Sequence, residues 1–130
     1  MNKNLHHIGL LILRLGFGAL MLTHGLPKIA RLSATPIVFP DPLGVGSGLS
    51  LVLALIGEVL APVFIIIGLK TKLATIPALV TMFVAAFVVH LNDPFAKKEM
   101  ALLYLFAFLV ILLSGAGKYS VDSYLTNKKS

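Results

Sequence analysis

Four long apolar runs dominate this chain and leave few folds open to it. The first runs from Leu5 to Thr23 with Arg14 as its one charge, and the second from Leu49 to Leu69 with Glu58 as its one charge. The third, Leu73 to Val89, carries no charge. The fourth, Met100 to Leu113, extends through Glu99 at one end and through Ser114 and Gly115 at the other. A bilayer span takes roughly 20 apolar residues, so four spans consume about 80 and leave only short connections.

Composition agrees with the runs. Only 12% of the 130 residues are charged and 58% are hydrophobic, whereas a soluble domain carries about 25% charge to solvate its surface. Small domains are mostly surface, so half that charge cannot coat a globule of this size. Soluble nucleic-acid binding, a surface-charged regulatory domain and intrinsic disorder are excluded as readings. The net charge of +6 is too sparse for nucleic acid, and in a membrane protein such lysines gather in cytoplasmic loops. Cysteine is absent, which removes disulfides, thiolate metal sites, Cys-ligated iron–sulfur clusters and a dithiol relay within the chain. The first run is read as a retained helix, because it is long and no small-residue cleavage site precedes a soluble body.

Proline and glycine divide the runs. Pro27, Pro36, Pro40 and Pro42 are followed by Gly44, Gly46 and Gly48, a density that no helix continues through, so this stretch is a loop or a re-entrant segment. Lys70-Thr71-Lys72 makes a tight turn between runs two and three, and Asn92-Asp93-Pro94 separates three from four. The expected architecture is all-α: one domain, 1–130, folded as an integral membrane antiparallel four-helix bundle. Its helices are expected at about 5–26, 49–69, 73–90 and 99–115. Both termini then share a side with Lys3, Lys70, Lys72, Lys118, Lys128 and Lys129. The other side holds Lys28, Arg31, Lys97 and Lys98, offset by Asp41, Asp93 and Glu99. That bias favours cytoplasmic termini in a bacterial inner membrane.

Charges at bilayer depth are costly and usually face a bundle interior or a cavity. Counted from the starts of their antiparallel runs, Arg14 and Glu58 both lie about 13 Å deep from opposite faces, which predicts an Arg14–Glu58 pair. Such a pair either locks the bundle or borders a polar pocket. At 100° per residue, Arg14, Phe17, Met21, His24 and Lys28 form one stripe of helix one. Pro27 is expected to disturb the end of that helix and aim His24 and Lys28 into the mouth of the bundle. His90, Asp93 and Glu99 arrive at the same end from the third and fourth helices. The candidate ligand-binding residues are therefore Arg14, His24, Lys28, Glu58, His90 and Glu99, and no metal site is expected. His6 and His7 suit the headgroup level. Tyr119 and Tyr124 suit an interfacial belt. Gly57-xxx-Ala61, with Gly9, Gly16 and Gly18, suits close helix approach.

The order of these motifs resembles the DoxX family of four-helix membrane proteins. Arg14 in the first helix is followed by His24-Gly25-Leu26-Pro27-Lys28, Gly57-Glu58, Gly68-Leu69-Lys70-Thr71-Lys72 and His90 with Asn92 to Phe95. Gly115-Ala116-Gly117-Lys118-Tyr119-Ser120-Val121-Asp122 completes the pattern over nearly the whole chain. Members of the wider group are similar to the membrane subunit of thiosulfate:quinone oxidoreductases, and others to partners in redox or thiol-stress complexes. The resemblance implies quinone-linked redox chemistry.

A quinone needs an apolar groove for its tail and donors for its ring carbonyls. His24, Lys28 and His90 supply donors, while Glu58 and Glu99 supply proton relays. No cofactor is expected to be covalently bound, and with no flavin or haem motif the electrons would come from a redox partner protein or a small reductant. The alternatives are a non-enzymatic scaffold subunit of a partner complex and a small-solute translocator, the latter requiring a homo-oligomer. A haem held between His24 and His90 is a further option. Membrane lipid is the expected surrounding in every case.

Overall fold

The computed structural model describes residues 3–129. Helix α1 is Lys3–Ile29 and passes into a short 3-10 turn, Ala30–Ser33. Helices α2 (Ser47–Ile67) and α3 (Thr71–Val89) follow. Helix α4 is Phe95–Ser114, and a short helix α5, Val121–Lys129, ends the chain. No strand occurs among the described residues. Helix α1 packs on α2, α2 on α3 and α3 on α4, and α4 closes back on α1. Short connections make successive helices antiparallel, as expected of an up-and-down bundle.

Three stretches are long and apolar enough to cross a membrane: 4–33, Ser47–Ile67 and Thr71–Val89. Helix α4 has 20 residues, about 30 Å at helical rise, with Lys97, Lys98 and Glu99 in its opening turns. The apolar residues lie on both sides of the wall. Met21, Ile65, Ala78, Ala86, Phe108 and Ile111 fill the core, while Ile12, Leu20, Leu60, Val80, Phe106 and Leu113 are exposed on the outside. An outer surface this apolar is a liability in water and the required surface in lipid. The molecule is an all-α four-helix membrane bundle.

Two expectations about helix ends are corrected. Helix α1 runs through Pro27 to Ile29, because a proline removes a single backbone bond and the helix ends within a turn of it. Helix α4 begins at Phe95, just after Pro94, whose extended ψ of 150° sets the N-terminal boundary. Helix α5 has no counterpart among the expected helices. Its residues are polar enough to read as the tail of a loop. The Pro/Gly stretch forms no regular element from 34 to 46. Asp41 ties that loop down, its carboxylate accepting from Val45 N at 2.9 Å, Gly46 N at 2.8 Å and Ser50 Oγ at 2.9 Å. The amide of Gly46 and the Ser50 hydroxyl hold the Asp41 carboxyl below the ordinary aspartate range.

Glycine sets the helix register. A Cβ on Gly25 would run into the backbone of Glu58, and one on Gly57 into the side chain of Thr81. Gly18 is crowded in the same way by Ile66. Gly25 thus lies opposite Glu58, and Gly18 opposite the last turns of α2, so the spans touch at backbone distance.

Candidate functional site

The Arg14–Glu58 pair does not form. Arg14 is 1% exposed and spends its guanidinium on backbone carbonyls. Nε donates to Ile65 O at 3.0 Å, Nη2 to Ile66 O at 3.0 Å, and Nη1 to Ala116 O at 2.7 Å and Tyr119 O at 2.9 Å. The physical reason is register. Because α1 extends to Ile29, Gly25 is the residue that faces Glu58, and Arg14 lies roughly 16 Å further along the axis. There it meets the end of α2, whose last carbonyls have no helical partner. Arg14 ties together α1, α2 and the segment after α4.

Asp122 works at the same end. Its carboxylate accepts from Lys70 N at 2.6 Å and Thr71 N at 2.9 Å, capping α3. Partial burial opposes its ionisation. The amides of Thr71 and Lys70, with the charge of Arg14, outweigh that and hold its carboxyl below the ordinary range. Gly68 makes this turn possible: its φ of 74° is left-handed, and its N–H donates to Phe64 O at 2.8 Å.

Glu58 has a different partner. Lys28 Nζ donates to both of its oxygens, at 2.7 and 2.8 Å. The Glu58 side chain is 6% exposed and that of Lys28 28%. Glu58 sits in a π-helical turn, Ile56–Leu60, and a second π turn, Ala85–Val89, leads directly to His90. Such turns insert an extra residue and redirect the side chains around it, and they recur at functional sites. Nothing in the apolar periodicity marks either turn.

Two cavities meet at this pair. A groove of about 520 Å³ lies between α2 and α3, with Leu53, Ala54 and Ile56 on one wall and Ile76, Pro77, Val80 and Val84 on the other. The loop residues Phe39, Pro40, Pro42 and Leu43 close its end, with Arg31 and Phe39 stacked at 5.7 Å. Leu53, Ile76 and Val80 are exposed, so the groove opens on the lipid-facing surface. From Ile76 to His90 it follows α3 for roughly 20 Å. A smaller chamber of about 160 Å³ lies inside the bundle, lined by Met21, His24, Met82, Lys97, Met100 and Tyr104. Lys28, Glu58, Ala85 and His90 line both spaces and form the wall between them. Among the described residues, no group of three or more His, Cys, Asp or Glu is placed to hold a metal.

Four of the six sequence candidates therefore converge: His24, Lys28, Glu58 and His90. His24 lines the inner chamber, edge-on to Tyr104 at 5.8 Å. His90 Nδ1 lies 2.8 Å from Asp93 Oδ2. That bond from His90, aided by Lys97 and Lys98, holds the Asp93 carboxyl below the ordinary range. The other two candidates lie elsewhere. Arg14 is at the opposite end, and Glu99 is exposed and lines neither cavity, because it lies on the face of α4 opposite the one that Lys97, Met100, Ala101 and Tyr104 turn to the chamber. The inner chamber has no room for a porphyrin, so a haem between His24 and His90 does not fit it. The groove-lining loop residues carry no titratable group and no period, and sequence reasoning missed them. Lys97 and Tyr104, which line the chamber, are not among the sequence candidates either.

The fold and its cavities define a four-helix membrane protein with a polar wall at one end of an apolar groove. Residues 9–91 match the DoxX family, and the chain belongs to it. The chain is also 30% identical over 130 residues to "Putative oxidoreductase CatD" of Bacillus subtilis (strain 168), an overlap of 99% of this chain and 95% of that protein. No solved structure matches.

Proposed function

We propose that the protein is a quinone-linked, redox-associated subunit of the bacterial inner membrane, with its termini cytoplasmic. The groove is the observation that carries this reading. It offers an apolar trough roughly 20 Å long ending on Lys28, Glu58 and His90, which is the shape of a quinone with an apolar tail and a ring bearing two carbonyls. The two hydroxyls of the groove are already committed, Ser50 Oγ to Asp41 and Thr81 Oγ1 to Pro77 O. Lys28, His90 and Arg31 are then the donors left along its lining, and Lys28 and His90 are those at the wall shared with the inner chamber. Electrons come from a partner redox protein in this reading, since the chain has no cysteine. The oxidoreductase name of the B. subtilis relative supports the same class of chemistry.

The test is purification from native membranes with mass spectrometry of the bound small molecules, followed by saturation binding of decylubiquinone in nanodiscs. Co-purifying quinone and saturable binding, weakened about tenfold or more by Lys28→Met, are expected. Binding no greater than to empty nanodiscs would overturn the reading.

A further inference from the structure

Asp93 fixes which nitrogen of His90 is available to a ligand. The Asp93 carboxylate is ionised and can only accept, so the proton between them sits on His90 Nδ1. Asp93 lines neither cavity, whereas His90 lines both. The ring nitrogen left for an occupant is Nε2. With Nδ1 committed, Nε2 is a donor when the ring is charged and an acceptor when it is neutral.

Building on the quinone reading, we propose that His90 is the specificity-determining and proton-exchanging residue of the groove, and that Asp93 positions it. Charged His90 donates from Nε2 to the acceptor-only oxygen of an oxidised ring. Neutral His90 accepts from the hydroxyl of a reduced ring. The remaining polar groups at that wall do not make this exchange. Both Glu58 oxygens are occupied by Lys28, and Lys28 is a donor in either state. When a redox partner protein delivers two electrons, the ring takes up two protons: His90 supplies one from Nε2 to the oxygen it faces, and water reaching the partly exposed Lys28–His90 end supplies the other to the second oxygen. The ring nitrogen is then left as the acceptor for the hydroxyl it has made. Its lost proton is recovered from water, because the His90 and Asp93 side chains are 35% and 38% exposed. The other titratable groups facing this wall or the groove are His24 and Lys28 from α1, Arg31 from the turn after it, Glu58 from α2, and Lys97 and Tyr104 from α4, with Lys98 donating to Leu91 O beside His90. Of these, His24 is the other imidazole.

The signature is a pair of pH slopes of opposite sign. Full-length protein in phosphatidylcholine nanodiscs is titrated with tritiated decylubiquinone and, separately, with tritiated decylubiquinol, between about pH 5 and 8. The quinone is expected to bind more tightly as pH falls and the quinol more tightly as it rises, each by up to about tenfold per pH unit for one proton. His90→Gln, which presents a donor and an acceptor at every pH, is expected to flatten both slopes while binding persists. Asp93→Asn compresses them, and His24→Gln leaves them intact. Parallel slopes, flat slopes in the unaltered protein, slopes that survive His90→Gln, or slopes lost in His24→Gln would each overturn the assignment. Saturable binding without these slopes leaves the quinone reading standing and removes this inference. Absence of saturable binding at any pH removes both.

Discussion

The two ends of the bundle solve the same problem in opposite ways. Each buries a charge among apolar helices. At one end Arg14 is satisfied by four carbonyl bonds from two other segments, and Asp122 closes the turn beside it. At the other end Glu58 is satisfied by one flexible side chain, Lys28, with a cavity on either side. Backbone partners cannot move without unfolding a helix end. A lysine can. Burial of a charge therefore says little about its task until its partner is known: the Arg14 end is a fastening, and the Glu58 end is an ion pair between two cavities.

The contrast breaks most readily at the fastening. Arg14→Ala leaves several buried carbonyls without donors at about 1–3 kcal/mol each, so a loss on the order of 4 kcal/mol is expected, read as a lower melting midpoint by circular dichroism in detergent. Arg14→Lys restores only part of it, because an ammonium lacks the planar fork that reaches carbonyls on two segments. At the site end, Glu58→Ala strands Lys28 and is expected to cost about 2–3 kcal/mol. The double variant Lys28→Met/Glu58→Leu melts nearer the unaltered protein but no longer binds decylubiquinone above background. Equal damage from the Arg14 and double variants would erase the distinction between the two ends.

Smaller effects sharpen it. Gly25→Ala pushes a methyl group into the Glu58 backbone and is expected to cost about 1–3 kcal/mol, whereas Gly9→Ala and Gly16→Ala, which meet open space, stay within about 0.5 kcal/mol. Asp122→Ala removes a cap, worth about 1 kcal/mol. Its pH sign follows from the lowered carboxyl: folding gains from the ionised form, so the contribution is full above the unfolded value of about 3.9. It is lost as pH falls through the folded value. A melting midpoint that drops on acidification in the unaltered protein, and drops less in Asp122→Ala, checks it.

Much of this was legible from residue order. The four runs locate the four helices, and their missing charges give the solvent. The inward stripe of α1 and the meeting of His24, Lys28 and His90 follow from a 3.6-residue period and chain reversal. The Arg14–Glu58 pairing failed because depth was counted from the ends of apolar runs, whereas α1 extends past Pro27 and shifts every contact with α2. Glu99 failed because it lies on the outer face of α4, while Lys97 and Met100 beside it turn to the chamber. The groove itself was invisible, since it is built by two π turns and an aperiodic loop.

Hydrophobicity along the chain is a local property, so the sequence by itself determined that this is a helical membrane bundle and which charges are out of place. Which charge meets which depends on helix register, and register is decided by glycines that let backbones touch and by the length of α1 beyond its apolar run. Those are contacts between distant segments. Only the tertiary structure separated Arg14 the fastening from Glu58 the wall of a groove.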